Sequence, residues 1–160
     1  MTRAKSYTLH PIGAVRRGED GIAICIDEPY RPALQDLEHF SHVLVLAWAD
    51  QHDTRKHRRQ TIANPPHDPD RPTGIFATRS PVRPNPILLT PCRIISVDMQ
   101  AGIVKVSNLD FYDGTPVLDL KAYYPVSDRV REAHIAPWLV DWPEWLPEEG
   151  LGLKNDLPSV

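Results

Sequence analysis

Gly74-Ile-Phe-Ala-Thr-Arg-Ser-Pro-Val-Arg-Pro-Asn-Pro-Ile-Leu-Leu-Thr90 is the densest stretch of the chain, with Pro81, Pro84 and Pro86 inside six positions. Each proline fixes φ and removes a backbone donor, so an ordinary helix or central strand is excluded here. The stretch reads as a rigid, pre-shaped loop that displays Thr78, Arg79, Ser80, Arg83 and Asn85. Such a loop loses little conformational entropy when a ligand arrives, which is how many folds build binding sites.

Outward from this loop the chain alternates short apolar runs with Gly, Pro, Asp and Asn. Leu9 to Val15, Ile22 to Ile26, His42 to Trp48, Ile94 to Asp98, Ile103 to Leu109 and Val117 to Tyr123 read as strands, and Asp98 to Gly102 as a hairpin turn. Regular short strands joined by turns predict a mainly β protein: a single compact β-barrel with one or two short flanking helices. The helices are expected at Pro32 to Phe40, where Leu34, Leu37 and Phe40 recur every three residues, and at Asp128 to Trp138, with Asp128 as N-cap. Residues 1–160 are expected to form one domain. The aromatic tail, 139–160, is expected to pack on the barrel or on a second subunit.

Composition narrows the class. Seventeen prolines in 160 residues are about twice the usual share of roughly 5%. Cys25 and Cys92 stand far apart and form no C-x-x-C pair, which excludes a disulfide framework or a zinc knuckle and suits a reducing cytoplasm. The longest apolar run, Val43 to Ala49, is too short to span a bilayer, and Met1 to Leu9 contains no apolar signal core. Net charge is −3, yet Arg55 to Arg93 carries eight basic residues against two acidic ones. That distribution predicts an anion-binding face on an acidic body.

Three ordered motifs carry a resemblance. Residues 74 to 87 look like G-V-F-A-T-R-S-P-x-R-P-N-P-I, the signature of the TsaA-like (TrmO) family. Leu37-Glu-His-Phe-Ser-His42 resembles its L-E-G-F-S-H, and Asp110-Phe-Tyr-Asp-Gly-Thr-Pro-Val-Leu-Asp-Leu-Lys121 is similar to its D-x-x-D-G-T-P-V-L-D-I-K. His10-Pro-Ile-Gly13 falls where such proteins begin their first strand. The resemblance implies a single-domain β-barrel that binds S-adenosyl-L-methionine (SAM), commonly as a homodimer, and methylates N6 of a threonylcarbamoyl-modified adenosine beside the tRNA anticodon. The lack of G-x-G-x-x-G agrees, since such a barrel needs no Rossmann turn. Two positions depart from the pattern: Leu88 replaces the family glycine after P-N-P-I, which reshapes the expected pocket floor, and Ala122 replaces a frequent proline. Longer members add a C-terminal domain thought to help hold RNA, and none is expected in this chain.

Methyl transfer from a sulfonium is an in-line displacement that gains most from near-attack geometry in a dry site. It requires neither metal nor covalent nucleophile. The resemblance therefore assigns the cofactor cradle to Phe76, Thr78, Arg79, Ser80, Arg83, Pro84, Asn85 and Pro86, with Asp113, Gly114, Thr115 and Asp119 completing it. Phe76 and Ile87 can equally be core, and Thr78 and Asn85 can be turn caps. Arg79 and Arg83 are forks for a carboxylate or phosphate unless they pair internally with Asp113 or Asp119.

Asp110, Asp113 and Asp119 flank the turn at Gly114-Thr-Pro116. One of them is expected to bind the cofactor or orient the acceptor amine, with Asp113 and Asp119 the catalytic candidates. Arg55, Lys56, Arg58, Arg59 and Lys121 are the expected RNA contacts, acting on phosphate without reading sequence. His39, His42, Asp53, His57, His67 and Asp68 lack H-E-x-x-H spacing, so no metal is expected. Ser41 and His42 resemble a hydrolase pair only superficially, because strand neighbours point to opposite faces. The alternatives are methylation of another nucleoside or small molecule, or a SAM-binding module without turnover.

Overall fold

The computed structural model describes residues 5–148. The chain forms β1 (Gly13–Gly18), β2 (Gly21–Ile26), β3 (His42–Trp48), the short pair β4 (Ile62–Ala63) and β5 (Thr73–Gly74), β6 (Ile87–Asp98), β7 (Ile103–Val106) and β8 (Pro116–Ala122), followed by one helical turn, α1 (Pro125–Asp128). Six of these strands close a barrel in the order β1-β2-β7-β6-β3-β8. All of their pairings are antiparallel. Among the described residues no helix is long and apolar enough to cross a membrane.

The interior follows from strand alternation, which sends every second side chain inward. In β3, Val43, Val45 and Ala47 are fully buried while their neighbours are only half-buried. Ile24, Val104, Val106, Leu109 and Val117 complete the core. Each such aliphatic side chain contributes about 1.5–3 kcal/mol by leaving water. Gly13 is required by contact: a Cβ there would overlap the Cys25 carbonyl oxygen on β2. Closure between β1 and β8 is short, with Gly13 facing Val117 and Ala14 facing Pro116.

The turn at Asp113-Gly114-Thr115 reinforces that seam. The Asp113 carboxylate accepts a bond from the Arg17 amide at 2.7 Å, and the Gly114 amide donates to the Val15 carbonyl at 2.8 Å. Gly114 adopts φ +79°, a conformation that glycine reaches without a Cβ clash. The Arg17 guanidinium donates to the Leu109 and Phe111 carbonyls, at 2.6 and 3.0 Å. The segment after β7 is thereby tied to β1.

Helices differ most from the sequence expectation. In place of one helix over Pro32 to Phe40 there are two 3-10 turns, Glu28–Leu34 and Leu37–His39. Asp36 breaks them apart at φ 66°, a left-handed conformation that aspartate tolerates better than most residues. Leu34 and Leu37 are nevertheless buried, so the apolar spacing reported a packed face rather than a continuous helix. Over Asp128 to Trp138 the expected helix is replaced by α1, which ends at Asp128, and by a 3-10 turn at Pro137–Leu139. Asp128 does act on a helix start, but backwards: its carboxylate accepts from the Tyr124 amide at 2.7 Å.

Strand β6 begins at Ile87, so Ile87 to Thr90 form a strand and the rigid loop ends at Pro86. Pro91 is accommodated within that strand for a geometric reason. The Ile94 amide donates to the Ser41 carbonyl at 2.8 Å, and alternation of the ladder then turns the Pro91 nitrogen away from β3. On that other side β7 pairs only from Ile94 onward, so no partner there lacks a donor.

Candidate functional site

A cavity of about 670 Å³ opens where β6 parts from β7. Its walls are the 76–85 loop, the first half of β6 from Ile87 to Pro91, and the segment Asn108 to Phe111, with Leu146 at one side. The volume is within the usual range for a small-molecule site, roughly 300–1,000 Å³.

The loop wall is braced by its own side chains. The Thr78 hydroxyl donates to the Ile75 carbonyl at 2.8 Å and accepts from the Ser80 amide at 3.3 Å, while the Ser80 hydroxyl accepts from the Val82 amide at 3.2 Å. Arg83 donates to the carbonyls of Thr78 and Ser80 at 3.2 and 3.4 Å, and Arg79 to Leu89 at 3.4 Å. These are long bonds to neutral acceptors. Neither guanidinium forms an ion pair among the described residues, so the alternative of internal pairing with Asp113 or Asp119 does not occur there. Both line the cavity.

Across the gap, after a last backbone bond from the Ser107 amide to the Arg93 carbonyl at 3.1 Å, side chains take over from the ladder. Asn108, itself buried, accepts from the Arg93 amide at 3.4 Å and from the Ser107 hydroxyl at 2.7 Å. The Thr90 hydroxyl donates to the Asp110 carboxylate at 2.6 Å. Asp110 is thus fixed on the wall facing the arginines. Burial, helped by the nearby Asp110 charge, pushes the Cys92 thiol up to about 12, so it is no nucleophile at neutral pH.

At the rim, Arg58 bridges two elements. It donates to Asp53 at 2.9 Å and to the Asn85 side-chain oxygen at 3.4 Å, and stacks over Trp48 with 5.7 Å to the ring centre. The Trp48 indole donates to the other Asp53 oxygen at 3.0 Å. The Arg58 bond, then the Trp48 bond, hold the Asp53 carboxyl below the usual range. Trp48 ends β3 opposite Ile87, so the barrel itself anchors this rim.

The structure brings together Phe76, Thr78, Arg79, Arg83, Pro84 and Asn85, as the sequence suggested. Phe76, at 82% exposed, and Ile87, at 40%, line the cavity instead of the core. Ser80 and Pro86 stand behind the wall, and Pro86 is buried. Asp113, Gly114 and Thr115 are not brought to the cavity; they brace β1. Asp119 ion-pairs with Lys121 at 2.8 Å and faces a second cleft, of about 520 Å³, beside Tyr30, Phe40 and Tyr124. That pairing raises the Lys121 ammonium above its ordinary value.

Arg55, Lys56 and Arg59 lie exposed around the 3-10 turn His57–Arg59. Leu88, in the place of the family glycine, does line the cavity. Leu89, Thr90, Pro91, Asn108, Leu109, Phe111 and Leu146 are lining residues that the sequence did not point to. Of the three carboxylates Asp110, Asp113 and Asp119, one of which was expected at the cofactor or acceptor, Asp110 is the one that lines this cavity.

Ser41 and His42 do hydrogen-bond, at 2.8 Å, because Ser41 lies in the bend before β3 and strand alternation does not govern it. Among the described residues, the group with metal-compatible spacing is Asp36, Glu38 and His39, all exposed and none in the cavity wall.

Residues 5–129 match the tRNA-methyltransferase O N-terminal domain family. Two proteins of Archaeoglobus fulgidus are similar: a probable S-adenosyl-L-methionine-binding protein, 39% identical over 75% of this chain and 31% of its own length, and an S-adenosyl-L-methionine-binding protein, 36% identical over 78% and 94%. A mouse tRNA (adenine(37)-N6)-methyltransferase is 41% identical over 57% of this chain and 20% of its own. The crystal structure of TrmO from Pseudomonas aeruginosa superposes with a TM-score of 0.66 at 27% identity, over 86% of this chain and 64% of that one. The chain thus spans less than two thirds of several relatives, including the first of the Archaeoglobus pair. With the family matched over most of its length and the barrel shared with a solved member, the chain belongs to the tRNA-methyltransferase O N-terminal domain family.

Proposed function

We propose that the chain is a SAM-dependent methyltransferase that modifies N6 of threonylcarbamoyl-modified adenosine beside the tRNA anticodon, acting in the cytoplasm as a homodimer. The observation that carries this reading is the charge arrangement of the cavity: two guanidiniums with no ion-pair partner among the described residues share it with one carboxylate, between largely apolar walls. A zwitterionic amino acid joined to a nucleoside has the matching set of groups.

When bound, SAM supplies a methyl group made electrophilic by its sulfonium. In this reading Arg79 and Arg83 hold the methionine carboxylate. Asp110, fixed by Thr90, accepts from the ammonium or the ribose hydroxyls. Phe76, Ile87, Leu88 and Leu89 offer apolar surface to the adenine and exclude water, which strengthens the polar contacts beside them. Arg55, Lys56 and Arg59 are free to meet RNA phosphates. Arg58 braces Asn85 at the rim, while Lys121 is shared with Asp119. The exposed faces of Phe76 and Leu89 at the cavity mouth give a second subunit apolar surface to cover.

Names borne by relatives support the cofactor and the RNA class: the Archaeoglobus proteins for SAM, the mouse protein for adenine 37 of tRNA. The test is to incubate the protein with methyl-labelled SAM and bulk tRNA from normal and threonylcarbamoyl-deficient cells. Label is expected only in the normal tRNA. Equal labelling of both pools would reassign the acceptor, and SAM binding without transfer to any RNA would leave a binding module.

A further inference from the structure

Leu146 lines the cavity although it lies 35 residues beyond the last other lining residue, Phe111. The segment leading to it is held by aromatic contacts. Trp138 lies under the Arg71 guanidinium at 4.6 Å, Trp142 meets the His67 ring edge-on at 5.1 Å, and Trp145 lies 5.6 Å from Arg129. Arg71 is itself fixed by Asp68, at 2.9 Å. Internal turns stiffen the segment: the Leu139 amide donates to Ala136 at 2.8 Å and the Trp142 amide to Leu139 at 2.9 Å.

The gripped loop is not a bystander. His67 to Arg71 run straight into β5 and then into Phe76, the outermost apolar residue of the cavity wall. One end of the C-terminal segment thus holds the loop that feeds the wall, and the other places an aliphatic side chain at the cavity. Cation–π contacts at exposed sites contribute about 0.5–1 kcal/mol each. Two contacts on one loop suffice to bias the position of a short segment without dominating the stability of the barrel.

We infer that residues 137–146 form a strap that completes the cavity: Leu146 is a ligand-contacting residue, and Arg71, through Trp138, is a positioning residue for it. The inference rests on the reading of the cavity as a site for SAM. Its consequence is that a residue outside the cavity wall, Arg71, controls ligand affinity through a tail residue.

The test uses the full chain and S-adenosylhomocysteine, the product form of the cofactor, titrated calorimetrically into wild type, Leu146→Ala, Arg71→Ala and the double variant. Acrylamide quenching of tryptophan emission reports the strap itself, since three of the four tryptophans lie in it. Each single variant is expected to bind about fivefold more weakly, the loss of roughly one partly buried aliphatic contact. The double variant should be no worse than the weaker single, because both act on one contact. Arg71→Ala should also raise quenching, with the melting temperature nearly unchanged.

Wild-type affinity in either single variant, multiplied losses in the double, or unchanged quenching in Arg71→Ala would each overturn the strap. Absence of binding by the wild type would instead overturn the cavity reading beneath it.

Discussion

The two sides of the first half of β6 are built differently. Toward β3, residues Ile87 to Arg93 form an unbroken ladder in register with Trp48 to His42, above a core of fully buried valines. Toward β7 the strand pairing stops at Ile94, and beyond it one backbone bond, from the Ser107 amide to the Arg93 carbonyl, and side-chain bonds of Asn108 and Thr90 keep the neighbouring segment near. One strand therefore serves as barrel stave on one side and cavity wall on the other. Stability resides in the laddered side, and the space for a ligand in the side the ladder leaves open.

Four substitutions or reactions probe this division. The largest effect is expected on the laddered side. Val45→Asp places an unpaired carboxylate at a fully buried position between β6 and β8. The cost is several kcal/mol, comparable with the whole stability of a small domain, so circular dichroism should show no cooperative unfolding transition.

Next comes the open side. Arg79→Ala should weaken SAM binding by about tenfold or more, the loss of one charged hydrogen-bonding partner, with the melting temperature within about 2 °C of wild type. A collapse of thermal stability would mean that Arg79 belongs to the scaffold.

The seam between the sides should respond moderately. Thr90→Val removes the donor that fixes Asp110 and should cost about 1 kcal/mol of stability by denaturant titration, with a several-fold loss of SAM affinity. An unaltered affinity would separate Asp110 from the site. The smallest expected effect is a null one. Cys92, buried and raised to about 12, should resist thiol reagents in the native protein at pH 8 and react only on unfolding, as counted by the chromophore released.

The strands were legible because a barrel stave carries its own signal. His42 to Trp48 is a short, nearly unbroken apolar run, and the structure gives β3 those limits. The helices were not. A three-residue apolar spacing suits a packed 3-10 turn as well as an α-helix, and only the backbone at Asp36 separates them. The loop half of the cavity was legible too, since its prolines and polar side chains are contiguous. The Asp-Gly-Thr motif illustrates the opposite case: the residue types suit a ligand, yet Asp113 and Gly114 are bonded to β1.

By itself the sequence determined a proline-stiffened loop bearing two arginines, six barrel strands and the family to which they belong. These are local properties, written in neighbouring residues. What faces the arginines was decided only by the tertiary structure. Asp110, Asn108 and Leu146 reach the cavity because barrel closure and the tryptophan contacts bring distant segments together, and no spacing along the chain encodes a distance set by folding.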